Sequence, residues 1–382
     1  MTNRHWGRTL LTVFTVAVLG VSACAPEPGG GPPGARRSAA PTATDVNGAG
    51  PVLRGVNLFD TVWFAGYRGV SYDPQPQAGY DFLARRGVRL VRLPFLWPQV
   101  QPRLRAPLDP QAVRMLRTQL RRAAKAGIKV VLDAHNGCHF PQGNPEPGLR
   151  LAACGNGIGT AELDDLWSRL STAFRTEPAL YAYDIMNEPN HISAVVWQRF
   201  SQSVVDVLRA AGDRTLLWIE GTGYAAVDTW VRYHPRPWIR DPAHNIVYSA
   251  HQYFVDADYP SGYELRAYPG ASTRALAHLR TFVDWLQRFR VRGSIGEVGW
   301  PNASKARDPG AWNELGERWY RIADAARLPV TYFSASSIGE EIHAAYTARS
   351  PGDGCAGGSC TAPPLGRGLG QAAVLERHST VR

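Results

Sequence analysis

The sequence contains few lysines, and this limits the partners that the chain can bind. Only three of its 42 basic residues are lysine, so nearly all of the formal net charge of +10 comes from arginine. The arginines are scattered along predicted helices. A nucleic-acid interface calls for blocks of Lys or Arg with interleaved aromatic residues, and the sequence has none. We therefore interpret the charge as a solvated surface and expect no nucleic-acid partner.

The sequence also lacks an apolar run long enough to span a bilayer in the mature protein. The N-terminal apolar stretch covers only residues 10–21, follows a basic start, and ends in Val-Ser-Ala before Cys24. These residues resemble the bacterial lipobox and predict a lipoprotein signal peptide over residues 1–23, with Cys24 as the lipid anchor. An ordinary signal peptide with a chance cysteine is the alternative. We expect an exported protein, either lipid-anchored to the outer face of the bacterial cell membrane or secreted.

Residues 24–50 are rich in Pro, Gly, Ala and Ser/Thr, and such a composition cannot bury a core. We interpret this segment as a flexible tether. The sequence then predicts one folded domain over residues 51–345, followed by a disulfide-stapled loop and a C-terminal tail over residues 346–382.

Cysteine is scarce, with five residues in the chain. Cys138, Cys154, Cys355 and Cys360 remain once Cys24 is set aside. An even number in an exported chain predicts two disulfides, and we favour the local pairs Cys138–Cys154 and Cys355–Cys360, although sequence does not determine connectivity. Zinc binding is the rival interpretation, but no CxxC or His/Cys ligand spacing supports it. We expect no metal and no cofactor.

Eight short apolar runs alternate with amphipathic segments at helical spacing. The runs cover residues 52–58, 90–94, 129–134, 182–186, 215–220, 246–251, 293–297 and 330–334. Continuous apolar runs are typical of parallel strands buried on both faces. Eight such βα units predict an α/β fold, a single (β/α)8 TIM barrel. A doubly wound sheet is the alternative, but it calls for a Gly-rich phosphate loop after an early strand, and none is present.

Polar and ionisable residues follow the predicted strands, where the active sites of such barrels lie. Two of the runs end at a carboxylate, at Glu188 and at Glu297, and burying a charge must be offset by pairing or by use. Two such carboxylates brought over one substrate are the arrangement that glycoside hydrolysis needs. Glu220, after the fifth run, is a candidate for a supporting role. We expect Asp133 and Asp184, inside strands, to be structural.

Six short segments occur in order along the chain: Gly55-Val-Asn57, Val91-Arg-Leu-Pro94, Leu132-Asp-Ala-His-Asn136, Ile185-Met-Asn-Glu-Pro189, Ser249-Ala-His-Gln-Tyr253 and Ile295-Gly-Glu-Val-Gly299. Together they resemble glycoside hydrolase family 5, the cellulase-type retaining glycosidases with a (β/α)8 fold. The resemblance runs from about Val52 to Ser336.

The resemblance implies a role for each matched residue. Glu188 corresponds to the acid/base and Glu297 to the nucleophile, and Asn187 to the residue that hydrogen-bonds the sugar 2-hydroxyl. Arg92 and Tyr253 correspond to groups that hold the nucleophile ionised and oriented. Three further residues are implied to line the subsite at the cleavage point: His135, Asn136 and His251.

The end of the eighth strand departs from the family pattern. Family members usually carry a Trp there as a platform under the cleaved sugar, whereas this chain places Phe333 at that point. A phenyl ring is a smaller stacking face. We considered Trp63, Trp97 and Trp300, all near strand ends, as substitute platforms.

These observations predict a monomeric enzyme that cleaves an oligo- or polysaccharide, with an endo-β-1,4-glucanase (cellulase) as the first expectation. A β-mannanase or another β-glucanase of the same family is the alternative, because loops decide the sugar. A non-catalytic carbohydrate-binding surface lipoprotein on an inactive barrel is the hypothesis from another class. We expect contact with a membrane only through the lipid anchor.

Overall fold

The structure is a computed structural model, and it describes residues 47, 51–63, 71–142, 150–255, 264–268, 270–337, 343–350, 355–356 and 359–379. Cys24 and the predicted signal peptide lie outside the described residues, as does the predicted tether apart from Asn47. No helix in the described ranges is both long enough and apolar enough to cross a membrane.

Eight parallel strands form a closed barrel. They are β1 (Arg54–Leu58), β2 (Leu90–Phe95), β3 (Lys129–Ala134), β4 (Leu180–Asp184), β5 (Leu216–Glu220), β6 (Ile246–Tyr253), β7 (Gly293–Gly299) and β8 (Val330–Ser336). Each strand pairs in parallel with the next, and β8 pairs with β1 through Val330 opposite Arg54. This closure confirms the predicted TIM barrel and excludes an open doubly wound sheet.

Helices lie between successive strands and after the last one. They are α1 (Gln77–Arg85), α2 (Pro110–Lys125), α3 (Thr160–Phe174), α4 (Ala194–Ala210), the short α5 (Trp230–Tyr233), α6 (Ala271–Phe289), α7 (Pro309–Ala325) and α8 (Gly370–Arg377). The predicted start of α2 illustrates the local cause. The Asp109 side chain accepts hydrogen bonds from two backbone N–H groups of the first turn, and Pro110 occupies the first helical position.

Short helices and strands lie in the loops and at the C-terminal end of the barrel. Short helices cover Asp60–Trp63, Trp97–Val100 and Leu265–Ala267, and short strands cover Ser71–Asp73, His139–Gln142, Arg150–Cys154, Gly157–Ile158, Tyr346–Ala348, Cys355–Ala356, Ser359–Thr361 and Leu365–Gly368. The chain after residue 345, which we had separated from the folded domain, adds two strands beside β8 and the last helix of the barrel.

The strands are buried on both faces, which is why they form continuous apolar runs in the sequence. Every residue of β1, β2, β5 and β7 is buried. Strand ends differ from the prediction by a few residues. The predicted fourth strand continues through Ile185 and Met186, both fully buried beyond the last paired residue, Asp184. An apolar run indicates which residues are buried, whereas a strand ends where its backbone hydrogen bonds to the neighbouring strands end.

One predicted disulfide is confirmed. Cys138 and Cys154 are bonded, and they close the loop after β3 in which His139–Gln142 pairs with Arg150–Cys154. Cys355 lies opposite Cys360 in an antiparallel pair. The side chain of Cys355 lies outside the described residues, so the second bond stays a prediction.

Candidate active site

The two glutamates lie together at the carboxyl end of the barrel. Glu188 follows β4, and Glu297 belongs to β7, the strand beside β6. One oxygen from each carboxylate and a ring nitrogen of His251 all lie within 4.8 Å of one another. The sequence analysis had placed the two carboxylates on one rim from strand order alone, and the structure brings them into one site.

The backbone at Glu188 adopts a conformation that residues other than glycine rarely take. Its φ is 47°, in the left-handed region. Its N–H donates to Glu220 Oε2 over 2.6 Å, and its carbonyl accepts from Asn190 Nδ2 over 2.8 Å. These bonds hold the turn that sends the Glu188 side chain over the barrel mouth rather than back into the sheet.

Arg92 is the centre of a buried charge network. It is fully buried, and its guanidinium lies within 3.0 Å of the carboxylates of Asp133, Asp184, Glu220 and Glu297. An arginine keeps its proton under these conditions and offers five donors in a rigid fork. It therefore supplies a fixed positive charge beneath the site, which these four acidic side chains share.

Glu297 is surrounded by donors. Arg92 Nη1 lies 2.7 Å from Oε1, Tyr253 Oη donates to Oε2 over 2.5 Å, and His251 Nδ1 lies 3.6 Å from Oε2. Burial alone would raise the pKa of Glu297. The charges of His251, Arg92 and His135 and the Tyr253 hydroxyl outweigh it and lower the pKa to about 2. The carboxylate is therefore ionised at any ordinary working pH.

Glu188 has the opposite tendency. Burial raises its pKa, and the negative charges of Glu297 and Glu220 raise it further, against the hydrogen bond from His251 Nδ1 at 2.9 Å. The side chain remains 25% exposed, so it can exchange a proton with solvent or substrate. The surroundings thus shift the pKa values of two neighbouring carboxyl groups in opposite directions.

His251 connects the two sides of the network. Its Nδ1 faces Glu188, and its Nε2 lies 2.9 Å from Glu220 Oε1. Burial would lower the pKa of His251, but the charges of Glu220 and Glu297 raise it well above the ordinary value. A doubly protonated imidazole has no lone pair for a metal. The cluster of Glu188, His251 and Glu297 has metal-ligand residue types, but its chemistry is that of an ion-pair network.

The other residues assigned at the cleavage point lie close by. His135 Nδ1 lies 2.8 Å from Asp133 Oδ2. Burial opposes the proton on His135, but the charges of Asp133 and Glu297 raise its pKa. Asn187 Oδ1 accepts from Arg92 Nη2 over 2.9 Å. Asn136, the next residue after His135, donates from Nδ2 to the backbone carbonyl of the loop residue His139.

Phe333 lies at the end of β8 and is partly exposed. Its ring packs edge-on against Tyr253, with centroids 6.0 Å apart, and against Phe59, at 5.1 Å. Phe59 in turn contacts His135, with centroids 5.4 Å apart. These rings form one wall of the site on the Glu297 side. The prediction that Phe333 stands beside the carboxylates agrees with this placement.

Two of the proposed tryptophan platforms are wrong. Trp97 and Trp300 are both fully buried. Trp97 Nε1 donates to Gln101, and Trp300 stacks on Phe254 with ring centroids 5.3 Å apart. Neither offers a ring face to a sugar, because core packing covers both. The side chain of Trp63 lies outside the described residues.

Sequence reasoning missed residues that support the site. Asn57 Oδ1 accepts from Arg92 Nη1 over 2.9 Å, and its Nδ2 donates to the Gly296 carbonyl next to Glu297. His343 packs 5.0 Å from the Tyr253 ring, and burial lowers its pKa to about 4. A polar residue inside an apolar strand was a readable signal for Asn57. His343 follows β8 by several residues, so nothing in its sequence context pointed to the site.

Comparison with known proteins gives the family context of the chain. A family model described as cellulase (glycosyl hydrolase family 5) matches residues 44–339. The endo-beta-1,4-glucanase B of Aspergillus niger is 23% identical over 237 residues, which cover 61% of this chain and 66% of that protein. Endoglucanase 3 of Humicola insolens is 26% identical over 45% of this chain and 42% of its own length. The chain thus spans less than two thirds of these curated relatives.

Solved structures match over more of the chain. The endoglucanase Cel5A of Pseudomonas stutzeri, in complex with cellobiose, has a TM-score of 0.70 at 26% identity. The match covers 86% of this chain and 92% of that one. A protein with a similar fold therefore binds cellobiose.

Proposed function

Because this chain belongs to the cellulases of glycosyl hydrolase family 5 and is a glycoside hydrolase, we propose that it cleaves internal β-1,4-glucosidic bonds with retention of anomeric configuration. The observation that supports this proposal is a pair of neighbouring carboxylates whose pKa values are shifted in opposite directions. Oxygens of Glu188 and Glu297 lie within 4.8 Å, close to the separation of about 5–5.5 Å that retention requires and shorter than the 6.5–9.5 Å of inverting pairs.

In the first step, Glu297 attacks the anomeric carbon while Glu188 protonates the departing glycosidic oxygen. The low pKa of Glu297 keeps it ionised as the nucleophile, and the raised pKa of Glu188 favours the protonated form that the acid needs. Arg92 and Tyr253 donate to Glu297, which orients the oxygen that attacks. The products are a glycosyl ester on Glu297 and a free sugar with a new hydroxyl.

In the second step, Glu188 acts as a base. It removes a proton from water as the water oxygen attacks the anomeric carbon, and the ester bond to Glu297 breaks. Because the His251 ring bonds Glu188 and lies near Glu297, its positive charge can favour each carboxylate in turn. We assign Asn187 to the sugar 2-hydroxyl, and His135 and Phe333 to the wall of the cleaved-sugar subsite.

The choice of a β-1,4-glucan rests on the named activities of the relatives and on the cellobiose bound to the Pseudomonas stutzeri enzyme. Reducing-end release should be measured on carboxymethylcellulose, barley β-glucan and β-mannan, with viscosity as the readout of endo action. Fastest turnover on mannan would overturn the glucanase assignment. Glycan binding without turnover on any substrate would support the non-catalytic alternative instead.

Retention has its own test. Proton NMR of the first product should show the β anomer before mutarotation, and an α product would refute the mechanism. A Glu188→Ala variant should regain activity with azide on an activated aryl β-cellobioside and yield a β-glycosyl azide. Glu314→Ala, which removes an exposed carboxylate on α7, is the matched control and should keep wild-type turnover.

We further propose that the protein is exported and lipid-anchored through Cys24, with a monomeric catalytic barrel. The basic start, the short apolar stretch and the lipobox-like residues support this. Metabolic labelling with a fatty acid should modify the wild-type chain, whereas Cys24→Ser should remain unlabelled. Labelling of the Ser variant would refute the anchor assignment.

A further inference from the structure

Asp60 is the centre of a buried polar cluster that is separate from the carboxylates around Arg92. The residue follows β1 and is fully buried. Its carboxylate accepts four hydrogen bonds, from Ser337 N–H at 2.8 Å, Ser337 Oγ at 2.9 Å, Gln75 Nε2 at 2.9 Å and Ser336 Oγ at 3.2 Å. The three partners are themselves fully buried. We call these four residues the Asp60 cluster.

The partners in the Asp60 cluster suit an ionised carboxylate. Burial raises the pKa of Asp60 to about 6, against the effect of the four hydrogen bonds, so the group is ionised at neutral pH. A carboxylate only accepts hydrogen bonds, and all four bonds come from neutral donors. Burying a charge is costly. Neither step of the proposed reaction uses this charge, so it calls for another role.

The Asp60 cluster joins the two strand ends that carry the aromatic wall of the site. Asp60 comes directly after Phe59, and Ser336 ends β8 three residues after Phe333. The Phe59 N–H donates to the Ala335 carbonyl over 3.1 Å, and the rings of Phe59 and Phe333 lie 5.1 Å apart. Both rings are partly exposed, whereas the cluster is buried. The position of the wall therefore depends on polar contacts that do not meet the substrate.

The Asp60 cluster also connects the wall to the last part of the chain. The family match ends at residue 339, but the chain from residue 345 onward, which we call the C-terminal segment, packs on the same strand end. The Ala345 N–H donates to the Ser334 carbonyl of β8 over 2.9 Å. Gln75, which donates to the carboxylate of the cluster, accepts from the Leu365 N–H over 3.1 Å. A Cβ at Gly79 would lie 1.7 Å from Gln75 Oε1, so the glycine leaves room for this link.

Building on the proposed function, we propose that Asp60 is a positioning residue for the cleaved-sugar subsite. Through the two serines it holds the wall of Phe59 and Phe333 in place beside Glu297, and through Gln75 it couples this wall to the C-terminal segment. The sugar ring distorts at this subsite on the way to the transition state, so displacing the wall lowers kcat more than it changes KM. The C-terminal segment is then a working part of the catalytic domain.

The experiment is a double-mutant cycle between Asp60 and the wall. Asp60→Asn keeps the shape of the side chain but places an amide donor among donors. At neutral pH, kcat/KM on barley β-glucan should fall about tenfold, mainly in kcat, since a misplacement of about 1 Å can cost about 10²-fold. In a Phe333→Ala background, the same substitution should change kcat/KM by less than about twofold, because the wall that Asp60 positions is gone.

Asp213→Asn is the matched control. Asp213 is also a buried carboxylate, and it accepts from the Ser171 hydroxyl and the Thr215 N–H. It precedes β5 and therefore lies at the opposite end of the barrel from the site. The substitution should lower the thermal midpoint, as Asp60→Asn does, and leave kcat/KM within about twofold of the wild type.

Two further variants test the links of the Asp60 cluster. Gln75→Met breaks the link to the C-terminal segment at similar side-chain volume, and its loss of kcat/KM should show the same dependence on Phe333. Ser337→Ala removes one of the four donors and serves in the cycle if Asp60→Asn does not fold. Its loss should be about threefold, because three of the four hydrogen bonds remain.

The outcomes are distinguishable. Absence of turnover by the wild type on every glycan tested would overturn the proposed function and the inference with it. A kcat/KM that Asp60→Asn leaves unchanged, or lowers equally with and without Phe333, would overturn the inference alone, because Asp60 would then not act through the wall. An equal loss in Asp213→Asn would also overturn it, since the loss would come from lower stability. A loss in Asp60→Asn with none in Gln75→Met would overturn the coupling to the C-terminal segment.

Discussion

The hydroxyl of Tyr253 offers a direct test of how Glu297 is kept ionised. It donates to Glu297 Oε2 over 2.5 Å, while its ring is held separately by Phe333 and His343. Burial and the negative charge of Glu297 raise the pKa of Tyr253 well above its ordinary value, so the hydroxyl remains a donor throughout. Tyr253→Phe removes that donor and leaves the packing in place.

The expected rise in the pKa of Glu297 follows from the hydrogen bond that is lost. A hydrogen bond to a charged group contributes about 1.5–3 kcal/mol, and 1.36 kcal/mol corresponds to about one pKa unit. The bond stabilises the ionised form, so its loss raises the pKa of Glu297. Starting from about 2, the pKa should rise by about one to two units, because Arg92 and His251 remain.

The assay is the pH dependence of kcat/KM on a soluble β-glucan, with brief exposure to acid. The nucleophile must be ionised, so activity falls as pH drops through the pKa of Glu297. The acid limb should therefore move to higher pH in Tyr253→Phe. Tyr332→Phe is the matched control, since its buried hydroxyl bonds the Trp300 backbone and not a carboxylate. An acid limb that does not move in Tyr253→Phe would refute the reasoning.

Three further predictions concern the same framework. Glu297→Gln should lower kcat by about 10⁵-fold with an unchanged circular dichroism spectrum; near wild-type turnover would contradict the nucleophile assignment. Glu220→Gln removes the charge that raises the pKa of His251, so the His251 ring should titrate at lower pH by NMR than in the wild type, and an unchanged titration would argue against the ion-pair network. Replacing both Cys138 and Cys154 by Ser opens a loop with a sequence separation of 16 residues and should reduce the free energy of unfolding by about 3 kcal/mol; an unchanged denaturant midpoint would show that the loop is held by other contacts.

Much of the architecture could be predicted from sequence because local chemistry and topology agree. Continuous apolar runs follow from strands covered on both faces, and caps such as Asp109-Pro110 fix helix starts. Once eight βα units are recognised, the barrel itself places the residues after each strand on one rim. Glu188 and Glu297 were therefore predictable neighbours, although they are more than one hundred residues apart.

The contacts that individual side chains make were not predictable in the same way. The sequence analysis expected Asp133 and Asp184 to be structural but named no partner for them. It left Glu220 as a candidate for a supporting role. The structure shows that all three face Arg92. It also buries Trp97 and Trp300, which sequence position alone had made candidate platforms. Proximity to a strand end does not say whether a side chain turns toward the barrel mouth or into the layer beneath the helices.

The sequence by itself indicated the family through its resemblance in six ordered segments, and it predicted the barrel and the pair of carboxylates, because these depend on periodicity and on residue types at strand ends. The resemblance to the family assigned the acid/base and the nucleophile, but only the tertiary structure showed which contacts separate the pKa values of Glu188 and Glu297. That separation depends on distances of about 3 Å between charges brought from separate strands, and electrostatic energy changes steeply over such distances in a buried site.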